Sequence, residues 1–126
     1  MIKVKKLVGS INKAVIDALG LVILEGEPIF LGESNLTHMK TEHPDNFNKY
    51  GNRLEEILSN PDFVTLHPHN GSIQYIKIIE PDYVLVAVRV SLSDVAYVRT
   101  LFVMSDEKVE KYKKHGYMHL LSLINI

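Results

Sequence analysis

Valine recurs at every second position from Val84 to Val90, and this alternation constrains the fold more than any other feature of the chain. Successive side chains of a strand point to opposite faces, so Val84, Val86, Val88 and Val90 share one face and must be buried together. The following segment, Val95 to Met104, is equally strand-like, and Ser91-Leu92-Ser93-Asp94 joins the two as a hairpin. Within it Ala96, Val98, Thr100, Phe102 and Met104 fall on one face, and Tyr97, Arg99 and Leu101 on the other. A register that unites the two apolar rows puts Arg89, Tyr97 and Arg99 together on the opposite face. A slip by one residue would set Arg99 among the valines, where an unpaired guanidinium is costly. The hairpin thus predicts a sheet with one apolar face for helices and one face bearing two arginines and a tyrosine.

The rest of the chain supplies those helices and further strands. Lys3 to Val8 is a short apolar-basic strand or extended arm, and Ser10 is placed to cap a helix over Ile11 to Leu19 that stops at Gly20. Leu21–Leu24 and Ile29–Leu31 flank Glu25-Gly26-Glu27-Pro28 as a small hairpin. Ser34 can cap a helix from Asn35 toward Glu42, which must end near His43 because Pro44 disfavours helical geometry in the residue before it. Pro44 suits the first turn of a new helix, continued by Asp45, Phe47 and Tyr50, and Leu54, Ile57 and Leu58 carry a further helical stretch to Asn60-Pro61-Asp62. Beyond that break the period changes to strands. Phe63–His67 and Ser72–Ile79 flank Asn70-Gly71, a strong hairpin turn, and Glu80-Pro81-Asp82 turns the chain again. A charged helix from Asp106 to Lys114 stops at Gly116, and an apolar tail follows over residues 117–126. Helices first and an antiparallel meander after them make an α+β domain: N-terminal helices on one face of a four- to five-stranded, mainly antiparallel sheet.

At 126 residues the chain fits one domain over 1–126. No apolar run approaches the roughly 20 residues that cross a bilayer, so no membrane is expected as a partner, and the basic start lacks the apolar core of a secretory signal. With no cysteine, disulfides, thiolate metal sites and cysteine nucleophiles are excluded. No address is visible, so cytoplasm is the default location. Lysine and arginine total 14 against 15 acidic residues, a balance that counts against a general nucleic-acid-binding surface but allows a local basic patch.

Chemistry concentrates in two places. His38-Met39-Lys40-Thr41-Glu42-His43-Pro44 sets two imidazoles where a helix is forced to stop, and Tyr97-Val98-Arg99-Thr100 brings an arginine on the last long strand. Imidazoles move protons near neutral pH and a guanidinium holds a phosphate, so such a set can cleave RNA without a metal. On an unbroken helix His38 and His43 lie about 140° apart, so they are not a metal pair, and they converge only if the helix end swings them toward one cleft. The competing view makes both ordinary surface histidines. His67-Pro68-His69 could chelate a metal in a small hydrolase, but two histidines without carboxylates are a weak site, and solvated turn residues are the simpler account. Tyr50 and Tyr97 are packing residues or base-stacking platforms. No metal site and no cofactor motif is expected.

The run from His38 through Asp45-Asn46-Phe47-Asn48-Lys49-Tyr50, together with Asn60-Pro61-Asp62-Phe63, the Tyr83–Val90 strand and Val98-Arg99-Thr100-Leu101-Phe102, resembles phage and mobile-element proteins. Those proteins are assigned to the phage-associated branch of the Barnase–EndoU–colicin–RelE nuclease superfamily. The resemblance spans residues 29–114, which would then be the nuclease-like core. It implies a metal-independent endoribonuclease, a toxin or effector of a prophage or integrative element, with its active site on the sheet face opposite the helices. Carried over residue by residue, it points to His38, His43, Arg99 and Thr100 as catalytic, one histidine taking the 2′-hydroxyl proton and the other protonating the leaving oxygen. Lys40, Tyr50, Arg89 and Tyr97 would bind substrate. The register above sends Thr100 to the core face and Arg99 to the cleft; either a bulge exposes both or Thr100 is structural. RNA is the implied partner, with an antitoxin or immunity protein, and the apolar tail offers a surface to a second copy of the chain. The alternative is a non-catalytic nuclease-fold module, serving in binding or in a phage structure.

Overall fold

The computed structural model describes residues 5–91 and 95–121. Seven strands form one sheet: β1 (Lys5–Ile11), β2 (Glu27–Gly32), β3 (Phe63–Leu66), β4 (Ile73–Ile79), β5 (Asp82–Val90), β6 (Ala96–Val103) and β7 (His119–Leu120). Their order is β1-β2-β6-β5-β4-β3-β7, and every neighbouring pair is antiparallel except β2 with β6. Five α-helices complete the described residues: α1 (Lys13–Leu19), α2 (Glu33–Glu42), α3 (Pro44–Tyr50), α4 (Leu54–Ser59) and α5 (Asp106–Lys114). The fold is α+β, as the sequence predicts, but the sheet is larger and mixed. Among the described residues no helix is long and apolar enough to cross a membrane.

The β3–β4 and β5–β6 hairpins stand where the alternation puts them, and Val84, Val86 and Val88 are fully buried while Arg89 is exposed. The β3–β4 connection is a six-residue loop rather than a two-residue turn. Asn70 Oδ1 accepts from Ser72 N at 2.9 Å and Gly71 takes the left-handed conformation beside it. The small hairpin expected around Glu25–Pro28 does not form. β2 pairs instead with β1, whose strand runs on through Ser10 and Ile11. Asn12 therefore caps α1, its Oδ1 accepting from Val15 N at 3.0 Å, and Gly20 closes the helix at positive φ. Gly32, not Ser34, precedes α2, and Pro44 opens α3 as expected.

Helices α1 to α4 cover one face of the sheet. Val15, Met39, Leu54 and Ile57 pack there on Val84, Val86, Val88, Tyr75 and Leu101. Helix α5 lies on the opposite face, where Val109 and Tyr112 cover Ile76, Leu85 and Met104. A sheet clothed only on one side is thus corrected to one clothed on one side and half-covered on the other. His119 and Leu120 pair with β3, and Leu121 is buried, so the first part of the apolar tail docks on the chain's own sheet. Residues 122–126 lie outside the described residues, as do residues 92–94 of the β5–β6 turn.

The decisive departure is in β6. Ala87 pairs with Thr100 and Val88 with Val98, leaving Arg99 as an extra residue. This bulge reverses the phase of the strand. Ala96 and Val98 face the helix layer, but beyond Arg99 it is Leu101 and Val103 that do so, while Thr100, Phe102 and Met104 turn to the α5 side. The uninterrupted row from Ala96 to Met104 is therefore corrected to two shorter rows, joined out of phase.

Candidate active site

The bulge places Arg99 and Thr100 side by side in a cleft of about 190 Å³ on the α5-facing side of the sheet. Its floor is β-structure: Thr100, Ala87 and Gln74 are consecutive partners across β6, β5 and β4. Its walls are Phe102, Lys108 of α5, and the β3–β4 loop with His67, Asn70 and Ser72. Tyr112 fixes the helix over the floor, its hydroxyl donating to Gln74 Oε1 at 3.0 Å in a buried bond.

Two hydroxyl groups lining this cleft, Ser72 Oγ and Thr100 Oγ1, are buried with no hydrogen-bond partner among the described residues. Buried polar groups are almost always paired, so these two hydroxyls are available to a polar ligand in the cleft; Thr65 and Tyr75 are buried in the same way outside it.

The cations in and beside the cleft, Arg99, Lys108 and Arg89, also have no carboxylate partner among the described residues. Ion pairs engage Lys6, Lys13, Lys49, Arg53 and Lys77, and all lie elsewhere. The near-neutral net charge thus conceals one locally basic face. Lys108 sits in the first turn of α5, whose cap is Ser105 Oγ accepting from Lys108 N at 3.1 Å. An ammonium there opposes the helix dipole. Burial and the neighbouring Lys111 hold its pKa below the ordinary lysine range. Its Nζ lies 4.8 Å from the centre of the Phe102 ring.

His67 follows Phe63 and Thr65 on the cleft-facing side of β3. Its Nδ1 accepts from the backbone N–H of His69 at 3.1 Å and of Asn70 at 3.2 Å. A nitrogen that accepts twice is unprotonated, so by this hydrogen-bond pattern the neutral ring carries its proton on Nε2. Burial, then the charges of His69 and Lys108, lower its pKa. His67 is thus a half-buried turn residue whose ring is held by the turn's own backbone, leaving Nε2–H available as a donor.

The residues singled out from the sequence divide. Arg99 and Thr100 are together in the cleft. His43 does not line the cleft itself, but its ring centre lies 5.7 Å from that of Phe102, which does. His38 is exposed on α2 without a polar or ring partner among the described residues, and Lys40 is exposed with its Nζ 5.8 Å from the Phe47 ring. Tyr50 is buried in the helix-layer core, its hydroxyl donating to Asp82, and has no ring face open for stacking. Arg89 and Tyr97 stand opposite each other, one row along the sheet from the cleft floor. Sequence reasoning missed Ser72, Gln74 and Lys108 as cleft residues and set His67 aside. The available signal was the two-residue period Phe63-Thr65-His67 leading into the turn. Among the described residues no group of three or more His, Asp or Glu is arranged to hold a metal ion.

A family model described as phage-Barnase-EndoU-ColicinE5/D-RelE like nuclease 3 matches residues 5–111. Neither a curated protein nor a solved structure gives a significant match. The matched span contains the whole helix layer, strands β1 to β6 and every residue of the cleft. The chain therefore belongs to this family of phage-associated nucleases.

Proposed function

We propose that the protein is a metal-independent endoribonuclease, a toxin or effector of a prophage or integrative element, and that the β6-bulge cleft is its active site. One observation carries the proposal: Arg99 and Lys108, without carboxylate partners among the described residues, meet a fixed imidazole donor and two orphaned hydroxyls on the sheet face opposite the α1–α4 layer. Cleavage of RNA by its own 2′-hydroxyl requires a base, an acid and stabilisation of charge on the phosphate.

Arg99 offers a planar fork to two phosphate oxygens. His67 Nε2–H and the Thr100 and Ser72 hydroxyls donate to the same developing charge, each such donor being worth about 10²–10³-fold. The Lys108 ammonium, a stronger acid than an ordinary lysine, protonates the departing 5′-oxygen. His43, whose ring is also close to Phe102, removes the 2′-hydroxyl proton. Each proton transfer contributes about 10²–10⁴-fold. Positive charge that other nucleases draw from a metal would here come from Arg99 and Lys108. The products are a 2′,3′-cyclic phosphate and a 5′-hydroxyl. This assignment keeps His43, Arg99 and Thr100 in the roles the sequence suggested and transfers the second proton from His38 to Lys108.

The test is a set of single variants assayed on unstructured RNA. Lys108→Met, His43→Ala and His67→Ala should each lower turnover by about 10²-fold or more, whereas His38→Ala should be active. Full activity in the Lys108→Met and His67→Ala variants would move the chemistry out of this cleft. Absence of cleavage by the wild-type protein on every RNA tried would favour a non-catalytic binding module.

A further inference from the structure

Part of the α5-facing side of the sheet is left unused by the cleft. Leu7, Phe30, Tyr97 and Arg89 stand directly opposite one another on β1, β2, β6 and β5, so they form one row across four strands. Continuing the β4–β5 register by one step sets Ser72 opposite Arg89, and Ser72 lines the cleft. The row lies two residues along β5 from Ala87 at the cleft floor, about 7 Å, which is close to the reach of one extended nucleotide.

The side chains in this row are unusual for a solvent face. Leu7 is 59% exposed, and the half-exposed Phe30 and Tyr97 rings stand with centres 6.3 Å apart. Lys5 Nζ lies 4.2 Å over the Phe30 ring. Neither Lys5 nor Arg89 has a carboxylate partner among the described residues. The apolar demand of these strands is met on the other face by the α1–α4 core, so core burial gives no reason to gather two rings, a leucine and two cations without carboxylate partners here. A base stacked on a ring, with its phosphates held by flanking cations, is satisfied by this combination. A duplex hides its base faces and is not.

We propose that this row is a stacking subsite for single-stranded RNA, taking an unpaired base next to the nucleotide whose phosphate occupies the cleft. The proposal rests on the ribonuclease reading of the cleft, but its test needs no cleavage. The full chain is titrated against a fluorescently labelled 2′-O-methyl hexaribonucleotide, which lacks the attacking hydroxyl, and against the same strand annealed to its complement. The single strand should bind more tightly than the duplex. Phe30→Leu and Tyr97→Leu, each checked for an unchanged melting curve, should raise Kd about 5- to 10-fold or more, and Tyr97→Phe should stay within about twofold because it keeps the ring. Arg89→Gln, an exposed position, should reduce the salt dependence of log Kd by about 0.7.

Equal affinity for duplex and single strand, or unchanged Kd in both leucine variants, would overturn the subsite. If the wild-type protein cleaves no RNA yet these variants lose binding, the cleavage reading fails and the subsite stands. If RNA is cleaved and the variants bind normally, the subsite fails alone.

Discussion

Replacing Thr100 by valine should make the protein more stable and less active. Thr100 Oγ1 is buried without a partner among the described residues, and a buried unsatisfied hydroxyl costs about 1–3 kcal/mol. Valine has nearly the same shape and is at least as well suited to a strand, so the packing against Ala87 is kept and the desolvation cost disappears. A gain of about 1 kcal/mol is the low end of that range. With an unfolding entropy of about 2.1 cal/mol/K per residue over 126 residues, it corresponds to a rise of about 4 °C in Tm. Turnover should fall by about 10²-fold if the hydroxyl donates to the transition state. Tyr75→Phe is the matched control: the Tyr75 hydroxyl is also buried and unpaired, but it lies under the helix layer, away from the cleft. It should be stabilised without loss of activity. Chemical denaturation and cleavage rates are measured on the same preparations. A Thr100→Val protein destabilised by about 1 kcal/mol or more, with Tyr75→Phe stabilised, would show that the threonine hydroxyl is structural. A stabilised and fully active Thr100→Val would show that catalysis does not use it.

Other expectations concern charge and titration. Arg99→Lys should lose most activity despite keeping the charge, because an ammonium cannot make a two-pronged phosphate contact. Its stability should change by less than about 0.5 kcal/mol, since Arg99 is exposed and unpaired. By NMR titration the His67 ring should protonate below the ordinary histidine value. Its folded-state pKa is depressed, so its contribution to stability is present above the unfolded value near 6.5 and is lost as pH falls through the folded value; His67→Gln should remove that loss. Asp82 is held below the usual carboxylate range by the Tyr50 hydroxyl and by Lys49. Its stabilisation is present above the unfolded value near 3.8 and is lost at lower pH, so Tyr50→Phe should shift the Asp82 titration upward and lower stability at neutral pH.

What the sequence reveals follows from the range of the interactions involved. The β5 valines, the stop at Pro44 and the Gly20 cap are local in origin, since strand period, proline sterics and glycine backbone freedom act within a few residues. The pairing of β1 with β2 around α1, and the parallel contact of β2 with β6, depend on long-range packing and leave no local signature. The bulge at Arg99 is the instructive case. Strict alternation forbids Arg99 and Thr100 from sharing a face, and one inserted residue permits it. His67 and Lys108 are 41 positions apart in sequence. They converge because Phe63, Thr65 and His67 share a strand face and because Tyr112 holds α5 over Gln74.

The most direct test of the central claim is the chemistry of the RNA ends produced in the presence of EDTA. Unstructured RNA incubated with the purified protein and excess chelator should be cut, and mass spectrometry should find 2′,3′-cyclic phosphate on one fragment and a 5′-hydroxyl on the other. A substrate with 2′-deoxy sugars should be left intact. Cleavage that stops with EDTA and returns with magnesium or zinc, or fragments that carry a 5′-phosphate, would contradict the account.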